Sequence, residues 1–234
     1  MNKVFIFGDC HTNRAWEHHD PDLLDIDLRM WGRGGIKVYG LDFAELAEEN
    51  AESTGYDAPI KPRTHELMES GFKYKVDFNE WENSDLVMFW LGYVDVRLLL
   101  PKYKNPDEIA KTYVDRVIDF FGSKPIRFIE PLPQFTEMLL KYEGISPSYE
   151  YVDRLEQNKG FIESLRKYSK EAGLMPPISQ EQIFEAVGTQ ELVPSMTHTK
   201  APHPVDGLKD EYMEKIYQLF VDESKKALDF YNIK

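Results

Sequence analysis

Three short apolar runs along the chain predict the strands of a buried sheet. The runs and the turn residues that end them are residues 4–7 before Gly8, residues 85–91 before Gly92, and residues 126–129 before Pro131. Short runs without alternation, bounded by turn residues, are typical of parallel strands buried on both faces. Residues 36–39 form a weaker apolar segment, which we interpret as a second strand or as the approach to a helix.

Between and after these runs, apolar residues recur at helical intervals. Asn105 is a predicted helix cap, and Pro106 is tolerated at the first helical position. Asp42 is a predicted cap for an earlier helix that extends to about Ser53, before an irregular connection over residues 54–69. The other predicted helices span residues 105–121, 149–171, 180–186 and 208–231. Strand, helix and strand in this order predict an α/β fold with a parallel sheet, formed as one domain over residues 1–234.

Composition and charge limit the classes of protein to which the chain can belong. Hydrophobic residues make up 42% of the 234 residues, as in globular proteins, and no apolar run approaches the roughly 20 residues of a membrane helix. The net charge of −13 opposes binding to a polyanion, so we expect no nucleic-acid or membrane partner. The apolar run after Met-Asn-Lys is too short for a secretory signal, and the single cysteine excludes an internal disulfide. We therefore expect a cytoplasmic protein; the sequence does not indicate its oligomeric state.

The loops after the predicted strands carry the candidate chemistry. Because the carboxyl ends of parallel strands meet at one edge of a sheet, residues 8–11 and residues 92–97 are expected to face each other across a crevice. The first loop holds Cys10, and the segment 196–207 before the last helix holds His198 and His203. The segment 196–207 is therefore the natural source of a base at this edge of the sheet.

The motifs in these loops resemble those of the SGNH (GDSL-type) hydrolase superfamily. Gly8-Asp9-Cys10 resembles its opening Gly-Asp-Ser motif, and residues 92–97 (Gly-Tyr-Val-Asp-Val-Arg) resemble the third motif Gly-Glu-Ile-Asp-Cys-Arg of one subgroup. A glycine pair at 34–35 and His203-Pro204 follow in the expected order. The resemblance implies a flavodoxin-like, three-layer α/β/α fold with a central parallel sheet, and hydrolysis of an ester, with an acetylated saccharide as one substrate class.

The resemblance also implies roles for individual residues. Cys10 would attack the acyl carbonyl and His203 would act as the base, with His198 as the alternative base. Gly35 would donate a backbone N–H to the oxyanion, and the remaining candidates for the oxyanion or substrate site are Gly92, Asp95 and Arg97. The implied mechanism requires neither a cofactor nor a metal.

Three positions depart from the family pattern. Cysteine replaces the serine, Val94 occupies the position of the oxyanion-binding asparagine, and Lys200 occupies that of the acid that orients the histidine. Catalysis would then use a Cys-His dyad or a carboxylate from elsewhere, such as Asp206 or Asp95. The loss of an orienting acid costs on the order of 10⁴ in rate in a triad.

Other interpretations of the same residues remain open. Cys10 can be a small buried apolar residue, Asp9 a turn residue, and Asp95 with Arg97 a structural ion pair. A chain that keeps the fold without turnover would be a binding protein for a sugar or acyl ligand. Asp9-Cys10-His11 also matches the opening of calcineurin-type metallophosphoesterases, but the further ligand motifs of that class are absent from the sequence, and residues 18–20 (His-His-Asp) are interpreted as a solvated loop.

Overall fold

Parallel strands and helices make up the part of the chain that the structure describes. The computed structural model describes residues 1–9, 12, 15, 25–32, 38, 41–45, 78–92, 95, 105–132, 151–188 and 210–233. The elements in chain order are β1 (Lys3–Gly8), β2 (Asp27–Gly32), a 3₁₀ helix (Phe78–Asn83), β3 (Leu86–Trp90), α1 (Pro106–Phe121), β4 (Ile126–Phe128), α2 (Tyr151–Glu171), α3 (Gln180–Val187) and α4 (Asp210–Phe230).

The strands form one parallel sheet in the order β2-β1-β3-β4. The chain runs from β1 outward to β2, then returns past β1 to β3 and continues to β4. Gly8, the last residue of β1, pairs with Gly32 of β2 and with Trp90 of β3. The strand order therefore reverses beside β1, and a sheet of this kind has its ligand crevice outside the carboxyl ends of the strands at that reversal.

Helices cover both faces of the sheet, and β3 shows this most clearly. The ring of Phe89 packs against Phe121 of α1, with the ring centroids 4.9 Å apart. The next residue, Trp90, points to the opposite face and packs against Phe220 of α4 at 5.0 Å. Because successive side chains of a strand alternate between faces, α1 and α4 lie in different layers. The architecture is thus a three-layer α/β/α fold with a central parallel sheet, as expected from the sequence.

A buried ion pair fastens α4 to β4. Arg127 Nη2 donates to Glu223 Oε2 at 2.7 Å, and both side chains are almost wholly buried. Arg127 also donates to the carbonyl oxygens of Glu223 and Pro176, while Lys226 Nζ lies 2.5 Å from Glu223 Oε1. Burial raises the pKa of the Glu223 carboxyl, but the hydrogen bonds from Lys226 and Arg127 outweigh it, so the pKa is lowered.

The outer edge of β4 carries a single further parallel bridge, between Ile129 and Ile178. Ile178 N–H donates to the Phe128 carbonyl, and its own carbonyl accepts from Glu130 N–H, each at 2.9 Å. Two prolines, Pro176 and Pro177, precede it in the chain. The sheet is therefore extended here by one residue rather than by a strand.

Most predicted elements are confirmed, with small differences at their ends. The three apolar runs form β1, β3 and β4, and Asn105 caps α1 by accepting the Glu108 N–H. Asp42 also caps a helix, since its Oδ1 accepts the N–H groups of Ala44 and Glu45; the predicted end near Ser53 and residues 54–69 lie outside the described residues.

The interpretation of residues 36–39 as the second strand was wrong, whereas the alternative interpretation of these residues as the approach to a helix stays open. The position of the second strand was not predicted. This strand is β2, over Asp27–Gly32, whereas Val38, which alone is described within residues 36–39, lies in a bend. Asp27 and Arg29 alternate with buried apolar residues in β2, so a search for wholly apolar runs overlooks it. The 3₁₀ helix before β3 was also not predicted. None of the described helices is long and apolar enough to cross a membrane.

Candidate functional site

The turn after β1 is tight and begins the candidate site. Asp9 N–H donates to the Trp90 carbonyl at 3.3 Å, which extends the pairing of β1 with β3 by one residue. Thr12, which is helical, then donates its N–H to the Asp9 carbonyl at 3.1 Å. The side chains of Asp9 and Thr12 are buried. The chain therefore turns from strand to helix within a few residues at the carboxyl end of β1.

This turn explains why glycine stands at position 8. A Cβ on Gly8 would lie 1.8 Å from Thr12 Oγ1 and 2.8 Å from the Trp90 carbonyl oxygen. Both distances are shorter than a carbon atom can tolerate, and the second involves backbone that cannot rotate away. The glycine thus permits Thr12 to fold back over the end of the strand.

A hydrogen bond between two loops spans the end of β1. Val38, which follows β2, donates its backbone N–H to Asp95 Oδ2, which follows β3, at 2.7 Å. Both residues are wholly buried. Because β1 lies between β2 and β3, this bond links the segments on either side of the strand that leads to Asp9.

The buried phenol of Tyr113, in α1, lies near the carboxylates of Asp95 and Asp9. Burial raises the pKa of Tyr113 well above its ordinary value, and the negative charges of Asp95 and Asp9 raise it further. Tyr113 Oη approaches the Leu91 backbone but makes no hydrogen bond of acceptable geometry to any described residue. The hydroxyl group of Tyr113 therefore remains protonated at neutral pH.

Gly92 lies two residues after the end of β3 and is held by packing. Its φ of +107° is a conformation that favours glycine, and a Cβ there would lie 3.1 Å from Phe161 Cε1 and 3.3 Å from Pro131 Cγ. Phe161 belongs to α2, so this helix closes against the carboxyl end of β3.

A buried carboxylate at the end of β4 was missed by the sequence analysis. Arg166 of α2 binds both oxygens of Glu130, with Nε–Oε1 at 2.5 Å and Nη2–Oε2 at 3.0 Å. Gln180 N–H, at the start of α3, donates to Oε2 at 2.8 Å. Burial raises the pKa of Glu130, and these hydrogen bonds limit the rise. Because both carboxylate oxygens accept hydrogen bonds from α2 and α3, Glu130 holds these two helices at this edge of the sheet. The sequence signal that could have identified it is an acidic residue just after a buried strand.

The sequence-predicted site residues divide into two groups. Gly92 and Asp95 are described and follow the carboxyl end of β3. Asp95 accepts the hydrogen bond from Val38, and Gly92 packs against Phe161 and Pro131. Cys10, Gly35, Arg97, His198 and His203 lie outside the described residues, as do residues 18–20. The structure brings together Gly8, Asp9, Val38, Asp95 and Tyr113, and the described residues contain no group of three side chains suited to hold a metal.

Comparisons with known proteins identify the architecture. No family model and no curated protein matches the chain. Among solved structures, a lipase/acylhydrolase from Enterococcus faecalis is 15% identical with a TM-score of 0.54, and the match covers 97% of this chain and 96% of that one. A carbohydrate acetylesterase family member from Sinorhizobium meliloti is 13% identical with a TM-score of 0.50, covering 98% and 100%. These matches and the sheet order show that the chain has the three-layer α/β/α fold of SGNH hydrolases.

Proposed function

We propose that the chain hydrolyses an ester, with Cys10 as the nucleophile and His203 as the base. The observation that carries the proposal is the turn after β1. Gly8, Asp9 and Thr12, which bracket Cys10 in the sequence, lie at the carboxyl end of the strand beside which the sheet order reverses. That is where open parallel sheets bind ligands, and it is where the fold's opening motif carries its nucleophile.

The proposed reaction proceeds in two steps. The Cys10 sulfur attacks the ester carbonyl carbon, His203 accepts the thiol proton, and the resulting imidazolium protonates the alcohol as its bond to the acyl carbon breaks. Water then attacks the thioester, and His203 accepts a proton from the water. The bond between the acyl carbon and sulfur breaks, the imidazolium returns its proton to the departing thiolate, and the carboxylic acid leaves. No oxidant, metal or cofactor enters either step.

Backbone donors would stabilise the negative oxygen that develops in both steps. The N–H groups of Cys10 and Gly35 are the proposed donors, and one such donor contributes about 3 to 4 kcal/mol. Val94 replaces the side-chain donor of the family, and Lys200 replaces the orienting acid. We therefore propose slow turnover, with Gly92 and Arg97 shaping the loop that faces the substrate.

The proposed substrate is a small neutral ester, and an acetylated saccharide is the leading class. The name of the Sinorhizobium meliloti structure supports this choice, because that protein is a carbohydrate acetylesterase family member. The net charge of −13 gives the chain no general attraction for anionic substrates.

The test is acyl transfer from p-nitrophenyl acetate, followed by release of p-nitrophenol and by intact mass. We expect an initial burst, one acetyl group on the protein, and loss of both in Cys10→Ala. His203→Ala should lower the acylation rate by about 10² to 10⁴, with His198→Ala as the matched control. Retained turnover in Cys10→Ala would refute the proposal. Loss of acylation in His198→Ala but not in His203→Ala would identify His198 as the base instead of His203.

Lys200 favours one alternative, a binding protein that keeps the fold and binds an acyl or sugar ligand without turnover. Iodoacetamide distinguishes the two functions, because alkylation reports the thiolate directly. Rapid alkylation of Cys10 that slows in His203→Ala supports the enzyme. Slow alkylation that is unaffected by His203→Ala supports the binding protein.

A further inference from the structure

We propose that Asp95 is a positioning residue, which fixes the main chain at Val38 near the end of β1 and so supports the oxyanion donor proposed at Gly35, three positions earlier in the sequence. This inference rests on the proposed function, because it assigns a role within that same site. It replaces the direct contact with substrate or oxyanion that the resemblance implies for Asp95.

The contact itself is short and fully enclosed. Val38 N–H lies 2.7 Å from Asp95 Oδ2, across 57 positions of sequence, and neither residue has exposed surface. Hydrogen bonds from a backbone N–H to a carboxylate are shorter and about twice as strong as those between neutral groups. Val38 stands three positions after Gly35, so the bond anchors the main chain close to the proposed donor.

Direct participation of Asp95 in the reaction conflicts with its burial and its chemistry. A side chain with no exposed surface does not reach a substrate. A carboxylate accepts hydrogen bonds and carries negative charge, so it would repel the oxyanion rather than stabilise it. Asp95 can therefore serve the oxyanion only through a group that it positions, and the Val38 amide is one such group.

The segment after Val38 has a second anchor, which supplies a matched control. Leu41 N–H donates to the Val38 carbonyl at 3.3 Å, and Arg116 Nη1 of α1 donates to the Leu41 carbonyl at 3.0 Å. Arg116→Ala removes an anchor of the same segment on the side away from Gly35. Asp95→Ala removes the anchor next to Gly35.

Two reactions of the same thiol separate positioning from general damage. Acylation by p-nitrophenyl acetate forms an oxyanion, whereas alkylation by iodoacetamide does not. In Asp95→Ala we expect the acylation rate constant to fall at least about 10-fold, toward the 10²-fold of a lost donor, with KM and the alkylation rate little changed. Asp95→Asn keeps an oxygen acceptor for Val38 and should stay within about 3-fold of wild type, as should Arg116→Ala.

Amide hydrogen exchange tests the anchor without any turnover. Exchange of a peptide covering residues 36–41 should accelerate at least about 10-fold in Asp95→Ala and little in Asp95→Asn, because the Val38 N–H loses its acceptor only in the first. Unchanged exchange in Asp95→Ala overturns the inference, as do equal losses of acylation and alkylation, or a loss in Asp95→Asn as large as in Asp95→Ala. If wild type forms no acyl-enzyme, the proposed function fails, while accelerated exchange still establishes the anchor.

Discussion

Replacing Gly92 with alanine is expected to destabilise the fold by about 1.5 to 2.5 kcal/mol. The φ of +107° at Gly92 costs an L-residue about 1 to 2 kcal/mol. The new Cβ would also lie 3.1 and 3.2 Å from two carbons of the Phe161 ring and 3.3 Å from Pro131 Cγ, so crowding adds about 1 kcal/mol. Replacing glycine also reduces the conformational entropy of the unfolded chain, which offsets about 0.5 kcal/mol of the destabilisation.

Gly188 provides the matched control for this prediction. It ends α3 in the left-handed conformation, with φ 81° and ψ 24°, and a Cβ there would meet no atom within 4 Å. Gly188→Ala should therefore cost about 1 kcal/mol, from backbone strain without crowding. Urea unfolding of both variants and wild type gives the two free energies.

A double variant tests whether the Phe161 ring is the source of the crowding. Phe161→Leu removes the ring carbons that the new Cβ would contact, so the double variant should lose less than the sum of the two single losses. Equal losses in Gly92→Ala and Gly188→Ala, together with strict additivity in the double variant, would refute the packing explanation.

Three further predictions, two of them with control variants, are measured by urea unfolding. Gly8→Ala should cost about 3 kcal/mol, because the added carbon would lie 2.8 Å from a carbonyl oxygen of β3; a loss under about 1 kcal/mol would contradict the close approach. Tyr113→Phe removes a buried hydroxyl without a partner among the described residues, so stability should stay constant or rise by up to about 1 kcal/mol, whereas Tyr231→Phe removes two hydrogen bonds and should cost about 1 to 3 kcal/mol. Equal losses in the two variants would mean that the first hydroxyl is hydrogen-bonded. Glu223→Ala should cost about 3 to 5 kcal/mol, and Lys226→Ala, at an exposed side chain, less than about 1 kcal/mol. Because the pKa of Glu223 is lowered from 4.5, its contribution is complete above that pH and is lost as the pH falls through the folded-state pKa, so the difference in stability between wild type and Glu223→Gln should shrink in acid; a constant difference would contradict the lowered pKa.

Local sequence signals were sufficient for much of the fold. Apolar runs located β1 and β3, because a strand covered on both faces has no polar side to obscure it. β4 was located from a short segment that contains Arg127 and ends before Pro131. The cap at Asn105 was also readable, since a cap depends on neighbours within one turn. β2 was overlooked because Asp27 and Arg29 interrupt its apolar residues and pair with each other at 2.6 Å.

The candidate site was less accessible to sequence reasoning. The positions of Gly92 and Asp95 at the end of β3 followed from the apolar run before them. The partner of Asp95 did not, because a bond across 57 residues depends on the order of strands in the sheet. Glycine is required at position 8 because Thr12 folds back against the end of β1, and no pattern of residue types specifies that contact. The nucleophilic role of Cys10 stays a prediction.

The single bridge at Ile178 has a consequence for association between molecules. A parallel edge grows when an incoming strand offers alternating N–H and carbonyl groups, and a proline offers no N–H. With Pro176 and Pro177 directly before the bridge, and with the Pro176 carbonyl already bound by Arg127, no continuous ladder can form along this segment. Within the part of the chain that the structure describes, this segment therefore opposes the addition of foreign strands, which is the first step toward aggregation of exposed sheet edges.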